Sequence, residues 1–434
     1  MTRFWVLAAI TTLSLSGCGG SDSNNDDATA IVGQCSVSDE KQQFLDYMYE
    51  QYFWNAELAD SIDPDNYADI YELLDAITVS EDRYSFITTE QQYQDRYVNA
   101  AYIGFGFATR VTTTARVFVN YVYQDSPAAL AGIKRSDEIT HINGESVQLL
   151  LAQGRYQEAL GDDDDGVAAT LTWRTVAGDT YTDVLTKTEV ETNTVLATSS
   201  YSVGDKTVGY YVLNTFINRT GDDLNQAYNE LQGVDELVID VRYNGGGLTR
   251  YANQAATQAA GNNVLGEVFG DYLFNADNSE QNFTELFQMY DGVQQLDLER
   301  VYVLTTTQSC SSSELIINAL EPFVEVVVIG ARTCGKPVGQ IPQRICDKRT
   351  FVVNFEIVNA LGEGRYFNGI AADCSAPDSL TGDWGHANDP MLRAVNQHIE
   401  TGTCATNPTS SSTTSTTLSP TKPWRIIDQW AAEH

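Results

Sequence analysis

Three short segments contain residue types and spacings that could carry out acyl transfer. In QSCSSSELIINALEP a run of serines leads into an apolar-periodic stretch, and Ser311 with Glu314 forms an S-x-x-E capping box. Read locally, Ser311 caps a helix. The same position suits a nucleophile, because the helix dipole and free N–H groups can stabilise an oxyanion. In IGARTCGKPVGQ an apolar strand exits into Lys336, flanked by Cys334, Gly335, Pro337 and Val338. A lysine becomes a general base when burial destabilises its ammonium, and these neighbours allow burial; the local alternative is a surface lysine after a strand. In VIDVRYNGGG a buried strand ends in Asn244 and three glycines. Such a turn can aim backbone N–H groups at a bound oxygen, or it is only a flexible turn.

The elements that must position these residues read as an α/β unit over residues 191–404. Strand-like stretches TVGYYVLNTF, ELVIDVR, RVYVLTT and EVVVIG alternate with helical patterns. Leu224, Ala227, Tyr228 and Leu231 share one helical face, and Ser313 to Leu320 form another helix. The alternation predicts crossovers and at least partly parallel pairing.

Residues 36–98 are helical and aromatic-rich. Phe44, Leu45, Met48 and Tyr52 recur at helical spacing, and Tyr67 to Ile77 predict a second helix. Residues 99–190 change character. Gly104 and Gly106 surround Phe105, and a strand VFVNYVY follows. Ser126-Pro127 starts a short helix that stops at Gly132, with the cap, first-turn proline and terminal glycine expected of one. DEITHINGESV is a strand broken by an Asn143-Gly144 turn, and residues 146–160 predict a second helix. This order resembles a PDZ domain. The resemblance places Ile103, Gly104, Phe105, Gly106 and Phe107 in a loop whose backbone N–H groups receive a chain-end carboxylate, beside a strand edge that pairs with the peptide. Asp162 to Asp165 read as a solvated turn; a calcium loop would place its acids at alternate positions around a glycine.

The chain has 434 residues, enough for two or three domains. It carries 25 basic and 59 acidic residues, a formal net charge of -34, which argues against nucleic acid and serves solubility. Residues 1–17 read as a signal peptide, with Arg3 before an apolar stretch from Trp5 to Leu15 that is too short to span a bilayer. Leu15-Ser16-Gly17-Cys18 resembles the lipobox of bacterial lipoproteins, which implies cleavage before Cys18 and a lipid anchor on it. The expected location is the bacterial cell envelope, facing the periplasm or exterior. Residues 18–35 read as a tether and 405–434 as a Ser/Thr-rich tail. Removing Cys18 leaves Cys35, Cys310, Cys334, Cys346, Cys374 and Cys404, enough for three disulfides in an oxidising compartment. The chain has no C-x-x-C pair and no H-E-x-x-H, so no metal is expected, and no other cofactor is required.

Together the three segments resemble the C-terminal processing, or tail-specific, proteases. That family combines a helical N-terminal region, an inserted PDZ domain and an α/β core of the ClpP/crotonase type with a Ser–Lys dyad. SCSSSE matches its serine-rich S-A-S-A-S-E segment, which makes Ser311 the nucleophile. TCGKPVGQ matches T-x-G-K-x-x-x-Q, which makes Lys336 the base and Gln340 the residue that orients it. DVRYNGGG resembles D-L-R-x-N-x-G-G, which implies one oxyanion donor near Gly246 and a second at the Ser312 amide. The resemblance implies protein or peptide substrates with free C-termini, exported from the cell. Cys310 and Ser312 replace alanines of the pattern. Cys310 and Cys334 stand beside the two catalytic positions, and a bridge between them would hold nucleophile and base in register. The rival reading is a peptide- or ligand-binding lipoprotein with an idle dyad. Other hydrolase signatures are absent: there is no G-x-S-x-G, and the S-x-x-K matches Ser38 to Lys41 and Ser419 to Lys422 fall at a helix start and in the tail. His386 in GDWGHANDP reads as a structural loop histidine.

Overall fold

A computed structural model describes residues 35–289 and 292–404. The expected signal peptide, Cys18, the expected tether up to residue 34 and the expected tail from residue 405 lie outside the described residues.

The core is a six-stranded sheet in the order Val195–Val203, Lys206–Leu213, Glu236–Asp240, Arg300–Thr305, Glu325–Gly330, Cys374–Ser375. The first pair is antiparallel and every later pair parallel. Period-two alternation divides the side chains between its faces. Tyr211, Leu213, Leu237, Ile239, Val301 and Val303 point to one side, where helices Thr220–Glu230, Thr249–Ala260 and Ser312–Leu320 cover them. Val208, Tyr210, Val238, Tyr302 and Leu304 point to the other, under helix Pro390–Thr401. A four-stranded antiparallel sheet, which the periodicity did not disclose, adds Phe283–Leu286, Val268–Phe274, Val353–Val358 and Val338–Gln340.

The N-terminal helices are part of this core. Helix Val37–Gln51, capped reciprocally by Ser36 and Asp39, buries Phe44, Leu45 and Met48. Together with helix Ile70–Ile77 it shares one apolar cluster with Val338, Ile345, Val352 and Val353. Strand Phe86–Thr89 pairs antiparallel with Lys348–Phe351. The strand that follows Lys336 is thus packed by residues some 250 positions earlier in the chain.

The PDZ region is a sheet of Phe107–Val111, Val117–Val122, Glu138–Ile142, Ala168–Arg174 and Thr180–Thr186, with Glu145–Ser146 attached. Ser126 caps Pro127–Leu130, and Asn143 and Gly144 both have positive φ, 52° and 81°, as a tight hairpin turn requires. The single helix expected over 146–160 is instead two, Val147–Ala152 and Tyr156–Leu160, parted at Gly154, whose φ of 68° ends the first. Asp162 to Asp165 are exposed, and Asp163 pairs with the buried Lys187 at 2.8 Å.

Candidate active site

Strand Arg300–Thr305 ends one short loop before Ser311, and helix Ser312–Leu320 begins directly after it. Ser311 has φ 56° and ψ -115°. A β-carbon is strained there, and such strain persists only where the surroundings enforce it. The neighbouring serines supply that enforcement. Ser309 Oγ donates to Val241 O at 2.8 Å, Ser312 Oγ to Gly247 O at 2.8 Å and Ser313 Oγ to Asn244 O at 2.9 Å. Three hydroxyls of the serine run therefore stitch the loop of the candidate nucleophile to the 241–247 turn, and Ser311 is the member that makes no such bond. Gly246 lies directly against it: a Cβ built on Gly246 would stand 2.7 Å from Ser311 Cβ and 3.3 Å from Ser311 Oγ.

Glu314 does more than the capping box implied. Its carboxylate is fully buried, and Oε2 accepts both the Ser311 N–H and the Lys336 N–H at 2.8 Å. Oε1 accepts the Gly335 N–H at 2.7 Å and the Thr333 hydroxyl at 2.5 Å. One side chain thereby binds the backbones of both candidate catalytic residues. Desolvation pushes its carboxyl pKa up, and these four donors oppose the shift. The Cys310–Cys334 disulfide, with a Cα separation of 5.2 Å, joins the same two segments covalently. The other cysteines pair as Cys35–Cys346 and Cys374–Cys404.

Lys336 is 4% exposed. Burial lowers its ammonium pKa from 10.5 to about 8, while the charges of Asp82 and Glu314 act in the opposite direction. Its Nζ donates to Gln340 Oε1 at 2.7 Å. Gln340 Nε2 donates in turn to Tyr84 O at 2.7 Å and Phe351 O at 3.0 Å, which turns the amide oxygen toward the lysine. Arg83 Nη2 donates to Cys334 O and Phe367 O at 2.8 Å, and the Tyr84 hydroxyl donates to Gly335 O. Nothing local in the sequence marks Arg83 or Tyr84, because what they hold is 250 residues away.

Two expected features take a different form. Among the described residues no hydrogen bond joins Ser311 Oγ to Lys336 Nζ; the lysine is held by Gln340. The Gly246 N–H is engaged, donating to Asn244 Oδ1 at 2.9 Å. Asn244 is fully buried, and its own Nδ2 donates to Leu213 O at 3.0 Å. Ser312, at the first position of its helix, has an N–H with no partner inside that helix.

The chain-end loop also differs in part. Ile103 and Gly104 belong to strand Ala101–Gly104, paired with Thr188–Glu191, so their backbone lies in a ladder. Phe105 and Phe107 are fully buried, and Gly106, at φ 87°, turns where a Cβ would strike Ser126 Cβ at 2.0 Å. Strand Phe107–Val111 is at the sheet edge, the position at which strand addition takes place in peptide-binding sheets. His386 accepts the Asn388 N–H at 3.2 Å, within its own loop.

Beneath the 241–247 turn lies an ion cluster that the sequence did not disclose. Asp378 accepts from Arg110 at 2.6 Å, Arg242 at 3.1 Å, Arg135 at 3.4 Å and the Tyr243 hydroxyl at 2.8 Å. Arg110 lies on the edge strand of the PDZ region, so one carboxylate joins that region to the turn carrying Gly246. These cations hold the Asp378 carboxyl below its ordinary range despite its burial.

Residues 207–375 match the sequence profile of peptidase family S41, residues 39–86 that of the peptidase S41 N-terminal domain, and residues 118–161 a PDZ domain. The chain belongs to peptidase family S41. Within the family it is 30% identical over 223 residues to the chloroplastic C-terminal processing peptidase of Tetradesmus obliquus, covering 48% of this chain and 46% of that protein. It is 26% identical over 273 residues to a probable CtpA-like serine protease of Staphylococcus aureus, covering 62% of this chain and 51% of that one. The chain thus spans about half the length of these relatives. A crystal structure of a Bacteroides fragilis protein assigned to the S41 proteases superposes with a TM-score of 0.69 at 23% identity, over 83% of this chain and 97% of the other. That likeness shows the fold: a mixed α/β core with a PDZ domain and an N-terminal helical region.

Proposed function

We propose that this S41 chain is a serine endopeptidase that cleaves exported proteins near their C-termini, with PDZ-assisted capture of the chain end. The observation that carries the reading is a buried lysine whose pKa falls to about 8, clasped through Glu314 to a serine on a strained strand-to-helix turn. Neutral Lys336, oriented by Gln340, takes the proton of Ser311 as Oγ attacks the scissile carbonyl. The Ser312 N–H receives the oxyanion at the helix N-terminus, joined by the Gly246 N–H once it turns from Asn244 to the substrate oxygen. Lys336 then protonates the leaving amine, and water hydrolyses the acyl-enzyme. The chemistry requires no cofactor.

The proposed setting is the bacterial cell envelope, with a lipid anchor on Cys18. The lipobox-like sequence before Cys18 supports it, as do three disulfides. No helix among the described residues is long and apolar enough to cross a membrane.

The engaged Gly246 amide and the missing Ser311–Lys336 hydrogen bond favour a second reading, a peptide-binding protein with an idle dyad. Digestion of a denatured protein by wild type and Ser311→Ala separates the two. The proposal expects cleavage by wild type and none by the folded variant. Equal digestion by both, or by neither, would overturn it.

A further inference from the structure

The side chains around Ser311 contain a set of metal donors, two of them sulfurs that take no part in the proposed hydrolysis. Cys310 Sγ, Cys334 Sγ and a Glu314 carboxylate oxygen lie within 4.8 Å of one another, and Cys334 Sγ stands 3.7 Å from Glu314 Oε2. As a disulfide the sulfurs are not thiolates and ligate weakly. As thiolates they would complete a ligand set suited to zinc. Bonds of about 2.3 Å to sulfur and about 2.0 Å to oxygen in a tetrahedron separate neighbouring ligands by about 3.5 Å. The Cys334–Glu314 spacing is already close to this. Among the described residues no other disulfide has a third ligand placed in the same way. Because the cysteines are 24 residues apart, no short sequence motif marks the site.

We propose that the Cys310–Cys334 bridge is the oxidised form of a redox-gated zinc site, in which the reduced cysteines and Glu314 bind Zn²⁺ and silence the Ser311 centre. Reduction begins at Cys334, the partly exposed cysteine; Cys310 is 2% exposed. A thiolate of a dithiol reductant attacks Cys334 Sγ. The Cys310–Cys334 bond breaks, and Cys310 leaves as a thiolate just before the positive end of helix Ser312–Leu320, which stabilises it. The second thiol of the reductant attacks the sulfur bonded to Cys334, releasing that cysteine. The reductant is oxidised to its own disulfide as two electrons reach the protein. Zinc then displaces the remaining thiol protons to solvent.

The consequence for activity rests on Ser311 and Lys336 being the catalytic pair. Glu314 Oε2 is the acceptor for both of their N–H groups. Ligation draws that oxygen away from the two backbones, while the two thiolates balance the dication, so the site keeps the net charge of the Glu314 carboxylate alone. The metal would therefore release the turn that carries Ser311 and the backbone at Lys336, and the two would leave their common register.

The test uses the full chain, oxidised or reduced with a phosphine, equilibrated with Co²⁺ as a spectroscopic probe and then with Zn²⁺. Reduced protein should show thiolate-to-cobalt charge transfer that Zn²⁺ displaces, and oxidised protein should not. The signal should vanish in Cys310→Ser/Cys334→Ser and survive in Cys374→Ser/Cys404→Ser. Glu314→Gln should weaken binding by at least about tenfold. If the first double variant does not fold, zinc protection of Cys310 and Cys334 from alkylation in reduced wild type decides the same point. Peptidase activity of the reduced chain should be lost on adding Zn²⁺ and return with a chelator. A cobalt signal that persists without Cys310 and Cys334, or reduced protein that binds no metal, overturns the proposal. A chain that binds metal as described but hydrolyses nothing in either redox state leaves the site standing and refutes the peptidase reading.

Discussion

Replacing Lys336 by methionine should abolish hydrolysis and should favour the folded chain more at neutral and acidic pH than at alkaline pH. Burial lowers the ammonium pKa from 10.5 to about 8, so the folded state holds this proton more weakly than the unfolded state does. At about 1.4 kcal/mol per tenfold in proton affinity, the penalty is about 3 kcal/mol. Below about pH 8 the lysine is protonated in both states and the folded chain bears the whole penalty. As pH rises from about 8 toward 10.5, the folded chain has released the proton that the unfolded chain keeps, and the penalty disappears. Methionine has similar reach and no charge to desolvate. It forfeits the bond to Gln340 and leaves that amide oxygen unpaired, a cost of about 1–3 kcal/mol at every pH. The pH dependence is free of that cost. The stability of Lys336→Met relative to wild type should fall by about 2 kcal/mol between about pH 6 and about pH 9.5. Urea unfolding of both proteins at the two pH values measures it. A difference that does not change with pH, or that changes with the opposite sign, would refute the claim that Lys336 is buried against its charge.

The same pKa sets a rate prediction: peptidase activity should rise with pH through an apparent pKa of about 8, measured as kcat/KM, and Asp82→Asn should move that midpoint lower by removing a charge that favours the ammonium. Lys336→Arg should be inactive at every pH, since arginine stays protonated. Asp378→Ala should destabilise the fold by about 3–5 kcal/mol in urea unfolding, because it takes the carboxylate partner from the buried guanidinium of Arg135, whereas Arg242 keeps Asp240 and Asp389; a loss below about 1 kcal/mol would show that the cluster tolerates its missing anion. Amidating the C-terminus of a peptide ligand should weaken its binding to the full chain by about ten- to a hundredfold in calorimetric titration, and equal binding of acid and amide would remove carboxylate capture from the PDZ region.

Local chemistry made much of this protein legible from its residues alone. The parallel strands could be read because their buried runs are bounded by glycine, serine and helical periodicity. The helix start at Ser126-Pro127 could be read because serine caps and proline suits a first turn, and the Asn143-Gly144 turn because few other residues take a positive φ. Ser311, in a serine run before a helix, and Lys336, among apolar neighbours, stood out through the family motifs they match. What those residues can do depends on groups that are distant in sequence. Lys336 loses its ordinary pKa through burial, two residues before Val338, which packs against the N-terminal helices. Gln340 faces the lysine because Tyr84 and Phe351 hold its nitrogen. Glu314 looks like a helix cap until the fold brings the Thr333, Gly335 and Lys336 donors to it. The Gly246 amide could be placed on a glycine turn, but only the tertiary structure shows it bound to Asn244. Backbone conformation is decided by neighbours along the chain, and sequence reports it; desolvation and hydrogen-bond partners are decided by neighbours in space, and only the folded molecule assembles them.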